Sequence, residues 1–312
     1  MAHPGSSCPP TRGSSLALTQ SNMVIKALCH ANPDVPFIEI KIIKTSADVR
    51  ANTPFSGFSD KGFFVKEIET ALLSREIDLA VHSLKDMPSE PTPGLVIGAV
   101  PEREDPRDVL VTRHRCTLVE LPMHARVGTG SPRRGAQLRA FRPDFEIVLL
   151  RGNVETRVRR TLGGELDAVV LAAAGLSRLG REKDISEVIG IDICVPAVGQ
   201  GALAVQVRED DAETRRLVAP LDHEPARLAV TAERAFMRTL GGGCQVPFAA
   251  WGQVEGDKLT VRGVIASPDG ARLFRDRIEG EAAQAEALGQ ALAEKMLRSG
   301  ADELVGSGLN GR

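Results

Sequence analysis

Hydrophobic positions recur at helical spacing in several stretches. Leu16, Leu18, Val24, Ile25 and Leu28 mark one helix over residues 14–31. Phe64, Val65, Ile68, Ala71 and Leu72 mark another over residues 61–75. Short apolar runs bounded by turn residues predict strands at 37–43, 78–83, 95–101 and 108–112. From residue 126 the two patterns alternate. A strand at 126–128 leads through a glycine-rich turn to a helix at 133–141, then a strand at 146–150, a helix at 154–162 and a strand at 168–172. That order predicts an α/β domain with a largely parallel sheet. Residues 101–106 and 196–201 read as linkers, and 202–207 as a strand returning to the first domain. Beyond Pro220 the character changes. Asp222 is the expected cap of a helix with Pro225 in its first turn. Strands follow near 248–254, 258–266 and 272–279, and a last helix at 281–299 carries Leu288, Leu292 and Met296. Residues 45–62 are polar and rich in Gly, Ser and Asn, the composition of a long functional loop.

Composition narrows the class. A chain of 312 residues, 42% hydrophobic and 26% charged, suits a globular protein of two or three domains. No apolar run approaches the roughly 18 residues of a membrane helix. The first ten residues lack the basic start and apolar stretch of a secretion signal, so a cytoplasmic location is expected. A net charge of -2 argues against a nucleic-acid or membrane-surface partner. Trp251 is the one Trp and Tyr is absent, which leaves no platform for stacking bases. The five cysteines are far apart and form no metal-ligand spacing, so free thiols and no metal are expected.

The near-neutral total hides an asymmetry. Between Arg126 and Arg160 there are nine Arg, no Lys and three acids. Arginine suits bidentate binding of carboxylates and phosphates. The turn Gly128-Thr129-Gly130-Ser131-Pro132-Arg133-Arg134 runs from strand to helix, where backbone N–H groups, two hydroxyls and two guanidinia can face one anion. It is neither a Walker sequence nor GxGxxG, so no nucleotide is indicated. Leu150-Arg151-Gly152-Asn153, with Arg157 one turn on, repeats the arrangement at the next strand end. At 82–86, His-Ser-Leu-Lys-Asp closes a buried strand, where Asp86 is placed for proton transfer or for stabilising a cation. A loop ion pair between Lys85 and Asp86 is the plainer alternative. Gly241-Gly242-Gly243-Cys244 sets a thiol on a flexible loop, as a nucleophile, a cofactor anchor or an inert turn residue.

Taken in order, these segments resemble the hydroxymethylbilane synthase (porphobilinogen deaminase) family. The resemblance rests on Thr11-Arg12-Gly13-Ser14, Lys61-Gly62-Phe63-Phe64-Val65-Lys66-Glu67, the run from Ala80 to Pro88, Arg103-Glu104-Asp105-Pro106-Arg107-Asp108, Leu150-Arg151-Gly152-Asn153, Pro196-Ala197-Val198-Gly199-Gln200-Gly201-Ala202 and Gly242-Gly243-Cys244-Gln245-Val246-Pro247. It implies two α/β lobes with mixed sheets, like those of periplasmic binding proteins, and a small C-terminal α+β domain. The expected boundaries are 1–101 with a return segment 202–219, then 102–201, then 220–312. It also implies a cytoplasmic, monomeric transferase of tetrapyrrole (heme) biosynthesis. That enzyme deaminates four porphobilinogen molecules, joins them head to tail, and releases hydroxymethylbilane by hydrolysis.

By the same resemblance, Cys244 carries a covalent dipyrromethane cofactor and Asp86 is the catalytic acid/base. Lys85, Thr129, Ser131, Arg133, Arg134 and Arg151 bind the cofactor. Arg12, Ser14, Phe64, Arg151, Arg157 and Arg178 bind substrate, and residues 45–62 are a lid. Several positions depart from the family pattern. Pro9 and Pro10 stand where it has a buried strand, which proline cannot join at a central position. Gly130 replaces a serine and Pro132 a leucine, and Gly241 replaces an acidic residue. The proline-rich start, together with changes in the lid at Ala47, Asn52 and Gly57, motivates a second reading: an inactive or weakly active relative that only binds a polycarboxylate.

Overall fold

The computed structural model describes residues 10–11, 14–35, 38–43, 65–241 and 246–307. Its contacts divide the chain into two units, Met1–Arg103 with Ala202–Arg227, and Glu104–Gly201 with Leu228–Arg312. Leu228–Arg312 thus fall in the same unit as Glu104–Gly201, whereas the expectation above sets a domain apart at 220–312.

In the first unit the strand Leu203–Arg208 lies between Leu79–Ser83 and Leu95–Ala99, antiparallel to both. All six of its residues are buried, as a central strand covered on both faces requires. Alternation along the strands sorts the side chains. Leu79, Val81, Val205 and Val207 meet Val24 and Leu28 of the helix Ser15–Ala31. Ala80 turns instead to Ile68, Ala71 and Leu72 of the helix Lys66–Leu73. A polar thread crosses this core. Gln206 Nε2 donates to Glu69 Oε1 at 2.9 Å and Thr92 Oγ1 to Glu69 Oε2 at 2.8 Å. The Gln206 carbonyl thus faces His82 Nε2 at 3.0 Å, which places the ring proton on that nitrogen. The expected strand at 37–43 is shorter, Lys41–Ile42, and pairs in parallel with Pro10–Thr11. Pro10 takes the first strand position, where a missing N–H is tolerated. Phe37 and the lid segment 45–62 lie outside the described residues.

The second unit carries a five-stranded sheet in the order Glu146–Leu149, Arg126–Thr129, Ala168–Ala172, Asp108–Thr112, Glu187–Val188. The first three strands are parallel. Asp108–Thr112 runs antiparallel to its neighbours on both sides. The sheet is mixed rather than largely parallel because Asp108–Thr112 enters from the linker and not through a helical crossover. Leu138 of the helix Pro132–Phe141 packs with Leu110, Val127 and Val170 on one face. Val158 of the helix Val154–Leu162 packs with Val109, Val111 and Val169 on the other.

Three antiparallel strands, Phe248–Glu255, Lys258–Ala266 and Leu273–Glu281, complete this unit. The helices Glu224–Thr239 and Ala285–Met296 cover one face through Phe236, Leu259, Val261 and Leu292. Gly289 lets the second helix meet the carbonyl of Ala232, which a Cβ there would strike. On the other face Ala249, Val264 and Ala266 pack on Ala136 and Val195. One expected cap is corrected. His223 Nδ1, not Asp222, accepts the Ala226 N–H at 3.4 Å. The Asp222 carboxylate instead takes Val100 N–H at 2.7 Å and Arg227 Nε at 2.6 Å.

Gly201 sits at φ 86°, where a Cβ would strike the Glu104 carbonyl and lie 3.2 Å from Pro106 Cα. Gly201→Ala combines left-handed strain with a backbone collision. Denaturant unfolding should show a loss of about 2–4 kcal/mol. A loss below about 0.5 kcal/mol would contradict this close approach.

Candidate active site

In open α/β sheets ligands gather beyond the carboxyl ends of the strands. The three parallel strands of the second unit end on one edge. Thr129 and Ser131 follow the first end, Arg151 and Arg157 the second, and Arg178 closes the helix Ala173–Arg178 after the third. Asp108 begins the antiparallel neighbour opposite Ala172 and so lies on the same edge.

The turn after Thr129 is self-bonded. Thr129 Oγ1 accepts the Ser131 N–H at 3.1 Å. Ser131 Oγ accepts the Arg134 N–H at 3.4 Å and caps the helix. Pro132 contributes no N–H. The turn therefore offers fewer backbone donors than its sequence suggests, while among the described residues neither hydroxyl donates its proton.

Arg133 and Arg134, expected in the mouth of this turn, are instead buried against Asp108, whose side chain is 0% exposed. Asp108 Oδ1 accepts from Arg134 Nε at 2.9 Å, Arg134 Nη2 at 2.7 Å and Gln200 Nε2 at 2.8 Å. Its Oδ2 accepts from Arg133 Nη1 at 2.8 Å and Cys194 Sγ at 3.2 Å. Burial opposes this charge, but the two guanidinia outweigh it and hold the carboxyl well below its ordinary range. Burial, reinforced by the neighbouring carboxylate, pushes the Cys194 thiol up to about 12. The cluster thus holds two cations, one anion and a neutral thiol, a surplus of one positive charge.

More positive charge lies alongside. Arg157 Nε donates to the Gly152 carbonyl at 2.8 Å, and among the described residues it has no acidic partner. Burial and the like charge of Arg134 lower its pKa, although a guanidinium stays charged. A Cβ on Gly130 would lie 2.9 Å from the Leu150 carbonyl and 3.8 Å from Arg157 Nη2. The glycine is what lets these two strand ends close together. Arg178 Nη2 donates to the Gly201 carbonyl at 2.6 Å, and its buried Nε has no partner among the described residues. Burial lowers its pKa too, against the pull of Glu104. Arg151 is exposed.

In the first unit Asp86 ends the one-turn helix Leu84–Asp86, directly after the strand Leu79–Ser83. Buried Leu84 and Met87 flank the turn, and Leu84 N–H donates to the Ala202 carbonyl at 3.0 Å. Lys85 and Asp86 are half-buried, and no ion pair joins them among the described residues. Gln20 Nε2 donates to Ser83 Oγ at 3.0 Å, tying the first helix to the strand end below Asp86. Ser14 Oγ caps that helix by accepting the Ala17 N–H at 3.3 Å. Arg12, Phe64 and Cys244 lie outside the described residues.

Asp108, Cys194 and Gln200 went unassigned in the sequence, although Asp108 and Gln200 fall inside its motifs. The signal available was an Arg-Arg pair in a buried helix start, which demands an acid somewhere in the fold.

The thiol shift has a measurable consequence. A folded pKa above the unfolded one favours folding fully below the unfolded value, near 8.5, and that contribution fades as pH rises toward the folded value. At pH 8 iodoacetamide should label exposed Cys29 in the native protein and spare Cys194 until the chain is unfolded, as peptide mapping would show. Native labelling of Cys194 at the rate of Cys29 would contradict its burial.

Comparison with known proteins supplies the context. The profile described as "Porphobilinogen deaminase, dipyromethane cofactor binding domain" matches residues 10–216, and "Porphobilinogen deaminase, C-terminal domain" matches 227–298. A Roseiflexus sp. (strain RS-1) protein named porphobilinogen deaminase is 50% identical over 295 residues, covering 95% of this chain and 97% of its own. One of the same name from Pelotomaculum thermopropionicum is 51% identical, covering 95% and 94%. Among solved structures, the Bordetella pertussis BvgS periplasmic VFT2 domain aligns at TM-score 0.41 and 16% identity, covering 70% of this chain and 92% of its own.

Proposed function

The chain belongs to the porphobilinogen deaminase family, and on that premise we propose how its residues perform the reaction. It is a transferase of tetrapyrrole biosynthesis with a dipyrromethane cofactor-binding domain. Four porphobilinogens each lose ammonia and are joined head to tail, and one water releases hydroxymethylbilane. A monomer is proposed from the family resemblance. No helix among the described residues is long and apolar enough to cross a membrane, in keeping with the cytoplasmic location expected of a biosynthetic enzyme.

The observation that carries this assignment is the surplus of buried arginine charge on one sheet edge. Such charge is costly unless an anion completes it. The orphaned Nε atoms of Arg133 and Arg178 and the acid-free Arg157 fit a ligand bearing several carboxylates, as dipyrromethane and porphobilinogen do. When bound, dipyrromethane supplies the nucleophilic pyrrole carbon from which the chain is extended, and Cys244 is the thiol proposed to hold it. Lys85, Thr129, Ser131, Arg133, Arg134 and Arg151 are the residues proposed for its acetate and propionate arms. Arg12, Ser14, Arg157 and Arg178 receive those of the substrate, with Phe64 against its ring.

Asp86 is the group assigned to the chemistry. Porphobilinogen loses ammonia to leave a cation delocalised over its ring nitrogen and methylene. An ionised carboxylate beside that nitrogen stabilises the cation and then accepts the proton released when the new carbon–carbon bond forms. The short turn after a buried strand fixes the Asp86 backbone, so little reorganisation accompanies the step. About 50% identity over 95% of the chain does not favour the reading as a mere polycarboxylate binder.

Intact mass under denaturing conditions, measured beside Cys244→Ala, tests the anchor. The wild type should carry the mass of two pyrrole units and the variant should not. An unmodified wild type, even after incubation with porphobilinogen, would contradict the assignment. Asp86→Asn should keep the fold and the thermal transition while kcat falls by about 10²–10⁴-fold. Turnover within a factor of a few of wild type would remove Asp86 from the mechanism.

A further inference from the structure

We propose that Asp108 is the positioning residue of the cofactor site: its buried carboxylate sets the places of Arg133 and Arg134 while cancelling only one of their two charges. This rests on the assignment above, which gives the two arginines to the cofactor but gives Asp108 nothing.

The geometry allows the carboxylate little freedom. Five donors converge on its two oxygens, from Arg133, Arg134, Gln200 and the Cys194 thiol, at 2.7–3.2 Å. Each partner is itself anchored. Arg133 Nη1 also reaches the Val195 carbonyl at 2.6 Å, and Arg134 Nη1 the Val170 carbonyl at 3.1 Å. Gln200 Nε2 reaches the Pro106 carbonyl at 2.7 Å. Arg134 meets the carboxylate through two N–H bonds, from Nε and Nη2, that converge on the one oxygen Oδ1 and together restrict how the guanidinium can turn. Asp108 itself begins a core strand, with Val109 and Leu110 next in line at 0% exposure.

The choice of partners also sets the charge. Gln200 and the thiol fill the remaining acceptor sites without adding charge, so one positive charge is left over in a site with almost no water. A second acid in the place of Cys194 would cancel it. One acid too few would leave two guanidinia repelling each other in the core. A single carboxylate packs the arginines and still leaves the edge positive toward an anionic ligand.

The test compares wild type with Asp108→Asn, Asp108→Glu and Leu138→Ala, the last a fully buried apolar residue of the same unit. Circular dichroism and thermal unfolding report the fold, intact mass the fraction carrying dipyrromethane, and kinetics of the loaded fraction KM and kcat separately. Both Asp108 variants should fold, carry cofactor in a minor fraction, and show KM for porphobilinogen raised about tenfold or more, with a smaller change in kcat. Leu138→Ala, with a comparable loss of thermal stability, should load fully. If Asp108→Asn does not fold, Asp108→Glu decides, because it keeps the charge and moves only its position. Wild-type loading and KM in Asp108→Glu would overturn the proposal, as would an equal loss of cofactor in Leu138→Ala. A wild type without the added mass would sink the assigned function itself. Loaded variants beside a loaded wild type sink only the role of Asp108.

Discussion

A carboxylate without water beside it must be neutralised by its neighbours, and the second unit is arranged around one such group. Asp108 begins a strand whose next residues are wholly buried. Its two oxygens gather the start of the helix Pro132–Phe141, the segment at Cys194 and Val195, and Gln200 of the linker. Removing one partner of such a buried pair costs about 3–5 kcal/mol, several times the value of an exposed ion pair. The surface pairs of this chain, such as Arg75 with Asp210 at 61% and 68% exposure, decide little by comparison.

The same need for satisfaction organises the first unit with a different outcome. There Glu69, Gln206, His82 and Thr92 form a thread of hydrogen bonds with both carboxylate oxygens used. No guanidinium takes part in those bonds and no positive charge is left over. In that unit Asp86, the proposed acid, ends the turn that follows the buried strand Leu79–Ser83. The other unit offers surplus positive charge along a sheet edge. The residues proposed for acid/base chemistry and those proposed for polycarboxylate recognition thus each have their own support.

Most of the fold was legible because its signals are local. The strand Ala168–Ala172 and the helix Val154–Leu162 follow directly from periodicity. The return of Leu203–Arg208 to the first sheet was also readable, as a buried strand beyond a glycine-rich linker. What could not be read was pairing at a distance. Asp108 meets residues 25, 26, 86 and 92 positions away, and no spacing in the sequence encodes those meetings. For the same reason the turn at Thr129 looked more open than it is, since its two arginines also bind Asp108 from elsewhere in the chain. At the start of the helix Glu224–Thr239 the expected cap is drawn elsewhere. Asp222 went to Val100 and Arg227, leaving the ring of His223 for the helix.

The middle strand of the first sheet is also the last of its three to be synthesised. Leu79–Ser83 and Leu95–Ala99 leave the ribosome about a hundred residues before Leu203–Arg208, and neither pairs with the other. At 5–20 residues per second, two hydrophobic strands wait several seconds or more for the partner that separates and covers them. The intervening α/β sheet emerges complete during that interval and can form first. The earliest strands of this chain are then the ones most in need of protection from aggregation while they wait.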